Sequence, residues 1–509
     1  MSTMLKLVDR LLDHITMYRL LLYYLLALLA IAMGLSFAGV LQYNGWAIAF
    51  SATYITLICW ITHSVFAHAF EAPANLESSL ITALILALII TPYKEPHDAL
   101  FFTAAAGLAI ASKYILQIRK KHIFNPAAVA VALTAAGPGQ TASWWIGSSQ
   151  MLPYVIIGGL LLTRKIQRSR MVATFIAVAL ASQVVVSLLG HHSLTANLRQ
   201  TLLHSSLWFL AFVMLTEPAT SPGSSGKQNW YAALVGAVFP PQVHILKVYS
   251  TPELALLVGN VFAYLVSSKA KLILKLRQKQ VIAAGTMDLA FALKRPLKYK
   301  AGQYMEFTLP HQGTDSRGSR RYFTLASSPT EKDLRLGVKF YAKGSSFKRA
   351  MQRMNSQTRF AAAQLSGDFV LPDDQGQKLA FIAGGIGVTP FRSMLKYLTD
   401  TNDQRDVTLL YSEKTVAAVA YRDIFAQAKQ QIGAKVIYTL TDLASLPPDW
   451  PGATGFISEQ MVKQAVPDYA ERLFYISGPQ PMVKAAQHIL YSLGVPRHQI
   501  KTDFFPGYA

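Results

Sequence analysis

The 509-residue sequence predicts a chain in two parts: a polytopic α-helical membrane domain, then a soluble part that alternates strands and helices. Three observations predict this. Up to about residue 270 the chain is dense in Leu, Ile, Ala, Val and Phe; beyond it the composition is that of an ordinary soluble protein. Several apolar runs in the first part approach the ~20 residues that cross a bilayer. In the second part the apolar runs are short, and Leu379–Ala383 leads into Gly384-Gly385-Ile386-Gly387 and a helix-like segment.

Charge and cysteine content narrow the function. The net charge is +21. Residues 1–272 hold 17 Lys and Arg against 8 Asp and Glu, which gives +9 and leaves +12 for the rest. Positive charge beside membrane spans sets topology; on a soluble domain it suits anionic dinucleotides or lipid surfaces. No nucleic-acid-binding module is recognisable. Cys59 is the only cysteine. Disulfides within the chain are excluded, and so is an iron–sulfur cluster held by it, which needs about four thiolates. Cys59 is expected to be a small buried residue.

In chain order, about ten spans are predicted, near 17–37, 45–69, 78–92, 99–115, 124–137, 151–163, 171–190, 199–216, 229–248 and 252–268. Met17–Leu41 is too long for a cleavable signal peptide. Basic clusters follow the fourth span (Arg119, Lys120, Lys121), the sixth (Arg164, Lys165, Arg168, Arg170) and the tenth (Lys269, Lys271, Lys275, Arg277). With an even number of spans between them, all lie on the side of the basic N-terminus. That side is expected to be cytoplasmic, and with it the soluble part. Two places break the apolar pattern. Asn125 fits a helix N-cap with Pro126 at the first helical position. In Leu215-Thr216-Glu217-Pro218 an apolar helix runs into an acidic, proline-broken segment. Such interruptions, one in each half, point to a ligand site between inverted repeats; the plainer alternative is two ordinary helix ends.

In the soluble part, Arg320–Ser328 is a strand with chemistry on it. Arg321 offers a forked cation for a diphosphate. Tyr322 and Phe323 offer rings, and Thr324 a hydroxyl. Alone, such a stretch is an amphipathic strand with basic flanks. Gly337–Lys348 reads as strand, tight turn and helix, so Gly344, Ser345 and Ser346 place N–H groups and hydroxyls at a helix N-terminus. That can seat a diphosphate or simply cap a helix.

Taken together, Arg321–Thr324, Gly302-Gln303, the Gly344–Ser346 turn, Gly384–Pro390, Ser477-Gly478-Pro479 and the Asp503–Phe505 ending resemble, in order, the ferredoxin–NADP reductase superfamily. Its flavin motif is Arg-x-Tyr-Ser/Thr, with Phe323 here in the Tyr place. The resemblance implies an FAD-binding β-barrel domain over 278–375 and an NAD(P)-binding α/β domain over 376–509. Phe323 becomes the plate for the isoalloxazine, and Thr324 the hydroxyl at its reactive edge. Gly385 and Gly387 admit the phosphates, Gly384 and Pro390 frame that turn, and Thr389 lies near the nicotinamide. Glu413 suits a free ribose 2′-hydroxyl and Lys414 a 2′-phosphate, so NADH and NADPH both stay open, with NADH favoured. Ser477 stands where the superfamily has Cys, beside Gly478 and Pro479. Thr324, Ser477 and Phe505 are the expected catalytic set.

The membrane part resembles the NqrB/RnfD family over residues 1–272, through Asp13–Leu20, Ile123-Phe124-Asn125-Pro126-Ala127 and Leu215–Thr220. This implies a ten-helix domain of inverted repeats that holds flavin between them, with Asn125 and Glu217 as cofactor-binding residues. Members with covalent FMN attach it through a Thr in a Ser-Gly-Ala-Thr-like loop. The comparable loop here, Gly137–Trp145, lacks that motif, so a second flavin (FMN or riboflavin) is expected to be noncovalent, or absent. The combined expectation is an FAD-dependent NAD(P)H oxidoreductase of a bacterial inner membrane. Its electrons would pass to a membrane flavin, a quinone or a redox protein. The alternatives are a haem-type ferric reductase, which His63, His68, His204 and His244 support poorly because their spacings do not repeat, and a flavin or ion transporter driven by a reductase. No metal site is expected.

Overall fold

The structure is a computed structural model that describes residues 8–505 except 9–11, 13, 14, 71–75, 119, 120, 138, 246, 268–271, 294, 316 and 343. The chain divides into two units, one spanning Ile15–Lys269 and the other containing Ala270–Ala509.

The first unit is helical. Its helices are α1 (Met17–Phe37), α2 (Gly45–Ala69), α3 (Leu76–Ile89), α4 (Asp98–Ile115), α5 (Pro126–Ala136), α6 (Leu152–Ile166), α7 (Ser169–Leu189), α8 (Leu194–Leu203), α9 (Leu207–Phe209), α10 (Ser225–Val238) and α11 (Pro252–Val266). Among the described residues α1, α2, α4 and α7 are long and apolar enough to cross a membrane. At ~1.5 Å per residue the 14-residue α3 and 11-residue α5 fall short of a ~30 Å hydrocarbon layer. Both are sheathed by other helices, with α3 buried from Ile81 through Ile89.

The expectation of about ten uniform spans is altered in two places. The run 199–216 is broken. α8 stops at Leu203, the Ser205 hydroxyl caps the restarted turn by accepting the Leu207 N–H, and a π-helical turn, Leu210–Met214, follows α9. The run 229–248 ends at Val238, because Pro240-Pro241 cannot continue a helix; a two-residue ribbon, His244–Ile245 with Val248–Tyr249, comes next.

The order of elements also repeats. α4, a ribbon (Gln117–Ile118 with Lys121–His122), Asn125-Pro126 and α5 recur as α10, a ribbon, Thr251-Pro252 and α11. Asn125 and Thr251 each cap the helix they precede, with proline in its first turn. The counterpart of Asn125-Pro126 is therefore Thr251-Pro252. Glu217-Pro218 follows the π-helical turn much as Thr91-Pro92 follows α3.

The second unit has two sheets. Six antiparallel strands, β1 (Leu272–Ala283), β2 (Thr286–Ala292), β3 (Tyr304–Thr308), β4 (Arg320–Thr324), β5 (Asp333–Lys339) and β6 (Phe360–Ser366), lie in the order β4-β3-β6-β1-β2-β5. The Ala326 N–H donates to the Arg335 carbonyl at 2.9 Å and so joins the two edges at one point. Gly285, at φ +66°, makes the tight β1–β2 turn. Leu289, Phe291, Met305, Phe307, Leu336 and Phe360 fill the interior. Helix α12 (Ser346–Arg353) follows β5.

The other sheet is parallel, from β7 (Leu379–Gly384), β8 (Val407–Glu413), β9 (Lys435–Leu440), β10 (Ala453–Thr454), β11 (Leu473–Pro479) and β12 (Ile500–Phe505), in the order β10-β9-β8-β7-β11-β12. Helices α13 (Thr389–Asp400), α14 (Arg422–Ile432), α15 (Glu459–Ala465) and α16 (Gln480–Ser492) connect it. β7 is buried throughout, as a central parallel strand with both faces covered must be. The chain steps outward from β7 to β10, then returns to the other side of β7 with β11. Parallel sheets bind ligands at such a switch point, beyond the C-terminal ends of the strands.

Candidate active site

The switch point brings together two groups of residues singled out from sequence. Gly385, at φ +57°, starts the turn after β7; a side chain there would be strained. A Cβ on Gly387 would stand 2.5 Å from Gly478 Cα and 2.6 Å from the Ser477 carbonyl carbon, so the turn packs directly on the end of β11. A Cβ on Gly384 would meet Met482 Sδ at 2.6 Å. Pro390 sits in the first turn of α13, where a missing N–H costs nothing. Pro479 ends β11, next to Gln480 of α16. Ser477 is fully buried and its hydroxyl has no hydrogen-bond partner among the described residues. Asp503 is its register neighbour on β12, and burial pushes that carboxyl up to about 6. Phe505 ends β12, but its side chain lies outside the described residues.

Thr389 and Glu413 face the barrel. Thr389 donates to the Ile386 carbonyl at 3.2 Å, and its methyl would lie 2.7 Å from a Cβ on Gly337 of β5. Both Glu413 carboxylate oxygens lie 3.3 Å from Lys339 Nζ, also on β5. Glu413 thus carries an ion pair beside the Gly385 turn.

On the barrel, β3 and β4 pair Met305 with Phe323 and Tyr304 with Thr324. Phe323 is half-buried, edge-on to Phe307 at 5.8 Å and stacked near Phe347 at 6.1 Å. Tyr322 is the exposed ring of the strand. Thr324 is buried and its hydroxyl, like that of Ser477, has no partner among the described residues. Arg321 is buried with its guanidinium over the Phe347 ring at 5.2 Å. The Ser345 hydroxyl caps α12 by accepting the Lys348 N–H at 3.3 Å, and the Ser346 N–H donates to Asp315 Oδ2 at 2.8 Å. Gly344 closes the preceding turn by donating to the Tyr341 carbonyl.

Sequence reasoning missed the groups that lock the barrel to the nucleotide-binding sheet. Arg392, on α13, forks onto Glu331 and also donates to the Ala326 carbonyl at 3.0 Å. Arg335 pairs with Asp288 at 3.2 Å and Glu331 at 3.5 Å. Burial raises the Asp288 carboxyl above the usual range against the pull of Arg335 and Arg392. Burial, and then Asp288, hold the Tyr421 hydroxyl well above a free phenol. These residues are far apart in sequence and share no motif. An Arg and a Ser inside the apolar face of α13 were the available signal.

In the helical unit the two proline-broken segments meet. Asn125 Nδ2 donates to Glu217 Oε2 at 2.9 Å, while Asn125 Oδ1 accepts the Ala128 N–H at 3.1 Å as the cap of α5. The Thr220 hydroxyl donates to the same carboxylate oxygen at 2.9 Å. Asn260, wholly buried on α11, accepts the Asn125 N–H at 2.8 Å and donates to the Thr220 carbonyl at 3.2 Å. Asn260 was not identified from sequence; Arg168, which donates to the Thr216 carbonyl at 2.9 Å, and Thr220 were noted only within a basic cluster and the Leu215–Thr220 segment, not as part of this network. An amide inside an apolar helix was the missed signal for Asn260. Beside this network is a cleft of about 610 Å³, including its open mouth, lined by Tyr18, Ser78, Thr82, Asn125, Thr216 and Glu217 among others.

Comparison with known proteins places both halves. Residues 381–488 match the oxidoreductase NAD-binding domain, and residues 139–271 match the NQR2, RnfD, RnfE family. The glycine betaine monooxygenase reductase subunit of Chromohalobacter salexigens is 27% identical over 201 residues, 38% of this chain and 53% of that protein. NADH-cytochrome b5 reductase 1 of Ajellomyces capsulatus is 28% identical over 232 residues, 43% of this chain and 73% of that protein. Among solved structures, the flavohem-like FAD/NAD-binding domain of nitric oxide dioxygenase from Vibrio cholerae aligns at 22% identity and a TM-score of 0.41, covering 46% of this chain and 98% of that one. The chain spans about half the length of the first curated relatives it matches. The chain joins a domain of the NQR2, RnfD, RnfE type to a flavin- and nicotinamide-type reductase domain like those of the ferredoxin–NADP reductase superfamily.

Proposed function

We propose that this protein is a membrane-bound, FAD-dependent NAD(P)H oxidoreductase whose electrons go on to an acceptor served by the helical unit. The observation that carries the reading is the pair of buried, unpartnered hydroxyls, Thr324 Oγ1 and Ser477 Oγ. A buried hydroxyl without a partner costs about 1–3 kcal/mol, so two of them, one ending β4 on the barrel and one near the end of β11 beside the Gly387 turn, call for ligands.

FAD fits the barrel residues: a strand hydroxyl, exposed and half-exposed rings, and a buried arginine near a helix N-terminus. When bound, FAD would supply hydride acceptance and onward release of electrons. The chain's own part is positioning. Thr324 would hydrogen-bond the reactive edge, Arg321 with Ser345 and Ser346 would hold the diphosphate, and Ser477 would orient the nicotinamide over the Gly387–Gly478 contact. Glu413 sets a carboxylate, ion-paired with Lys339, beside the Gly385 turn, where it suits a ribose hydroxyl better than a phosphate and favours NADH over NADPH. The ion pair of Arg392 with Glu331, braced on the barrel side by Arg335 and Asp288, holds the two domains in one geometry, so that donor and acceptor approach without rearrangement.

In the helical unit, the cleft beside Asn125 and Glu217 suits a noncovalent flavin or a quinone headgroup, since both present carbonyls and N–H or O–H groups to an amide and a carboxylate. The unit would lie in the bacterial inner membrane, with the reductase unit cytoplasmic.

The test is flavin content with rapid-mixing reduction by NADH and NADPH, on wild type and Arg321→Ala. Loss of the arginine should weaken FAD binding by about 2–3 kcal/mol. An Arg321→Ala protein that retains full FAD with unchanged affinity would refute the site.

A further inference from the structure

One of the groups assigned to the flavin diphosphate, Ser346, already holds an anion, and it belongs to the chain itself. Asp315 lies on the loop between β3 and β4. Its Oδ2 accepts the Ser346 N–H of α12 at 2.8 Å, and its own N–H donates to Ser346 Oγ at 3.0 Å. His311 Nε2 lies 2.9 Å from the same hydroxyl. Arg317 grips the carboxylate through Nη2 at 2.9 Å and Nε at 3.2 Å. The loop also takes the Arg321 guanidinium, which donates to the Arg317 carbonyl at 2.7 Å and the Gly318 carbonyl at 3.3 Å. One loop therefore engages both Arg321 and the start of α12.

Cations cluster at this loop. Arg317 pairs with Asp315, and Lys348 lies close enough to Arg321 and Arg317 to feel both charges. Burial, then Arg321 and Arg317, pull the Lys348 ammonium down to about 8. Arg317, Arg321 and Lys348 make this end of α12 a cationic seat, which suits a diphosphate as well as it suits a carboxylate.

We propose that Asp315 is an internal stand-in for the diphosphate, and that its displacement sets which flavin this seat accepts. A flavin without a diphosphate can enter against the ring-binding face while Asp315 stays docked. FAD must expel the carboxylate from the Ser346 N–H and take over Arg321. Asp315 thereby lowers the preference of the barrel for FAD over riboflavin. This rests on the flavin reading of Arg321, Ser345 and Ser346.

The experiment uses the full-length protein in detergent, stripped of flavin and titrated with FAD and with riboflavin by quenching of flavin fluorescence. Asp315→Asn and Asp315→Ala should lower the FAD Kd by ~10-fold or more, the equivalent of one charge-assisted hydrogen bond no longer in competition. The riboflavin Kd should not move, and Asp315→Glu should stay near wild type for both. An unchanged or weaker FAD Kd in Asp315→Asn overturns the proposal. So does a parallel tightening of riboflavin, which would mean a general change in the fold. Failure of every variant to bind either flavin overturns both this inference and the flavin reading beneath it.

Discussion

Thr324→Val and Ser477→Ala should make the flavin-free protein more stable and the enzyme slower. Both hydroxyls are buried to within a few per cent and neither has a partner among the described residues. Each unmet hydroxyl costs about 1–3 kcal/mol; taking the low end because both groups are small, each substitution should stabilise the flavin-free form by ~1 kcal/mol. The two lie on different sheets and share no partner, so the double variant should gain ~2 kcal/mol. In the loaded protein the balance reverses. Loss of one hydrogen bond to a reacting edge should slow flavin reduction by roughly 10- to 100-fold. Denaturant midpoints of the stripped protein give the first quantity, and stopped-flow bleaching of flavin absorbance by NADH gives the second. If either variant destabilises the stripped protein, its hydroxyl has a structural partner. If reduction is unchanged, the hydroxyl does not touch the reacting groups.

Three further outcomes follow from the same geometry. Arg392→Ala leaves Glu331 and Asp288 short of a cation at the domain junction, and should destabilise the reductase unit by ~3 kcal/mol, the low end for a broken buried pair; Arg392→Lys, lacking the fork, should recover only part, as read by chemical denaturation. Lys348 is charged below about 8 and neutral above it, and it faces Arg321, Arg317, the Tyr341 ring and the Lys339 carbonyl. FAD affinity should therefore hold at low pH and weaken as pH rises through about 8, while Lys348→Met flattens the profile and riboflavin shows none in titrations from pH 6 to 9. Asn125→Leu and Glu217→Gln should leave flavin reduction by NADH at the wild-type rate but slow reduction of a bilayer quinone; equal quinone rates in wild type and both variants would reduce these residues to helix punctuation.

The legible parts of this molecule were local ones. The strand around Arg321, the turn from Gly384 to Pro390 and the cap at Asn125 each carry their chemistry within a dozen residues, so spacing alone exposes them. Resemblance then supplied the order in which they belong. What escaped was built by the fold from distant pieces. Nothing near Asp315 says that it will dock on Ser346, 31 residues away, or that Arg392 will find Glu331 across a domain junction. Hydropathy also misled in a specific way. It sees apolar character but not backbone continuity, so the breaks at Ser205-Ser206 and Pro240-Pro241 were absorbed into two spans. Hydropathy also does not show that Asn125-Pro126 has its counterpart in Thr251-Pro252, which emerges only from the repeated order of helix, ribbon, cap and helix.

The central claim is that the helical unit carries electrons rather than merely anchoring a reductase. It is tested by comparing the full chain with a form that begins at Ala270, ahead of β1; a cut at Lys275 would remove Leu272, Ile273 and Leu274, which pair with β6. Both are offered NADH, first with ferricyanide in solution and then with a quinone confined to the bilayer of liposomes. The account predicts equal ferricyanide rates, and quinone reduction by the full chain alone. Quinone reduction by the shortened form at the rate of the full chain would contradict it.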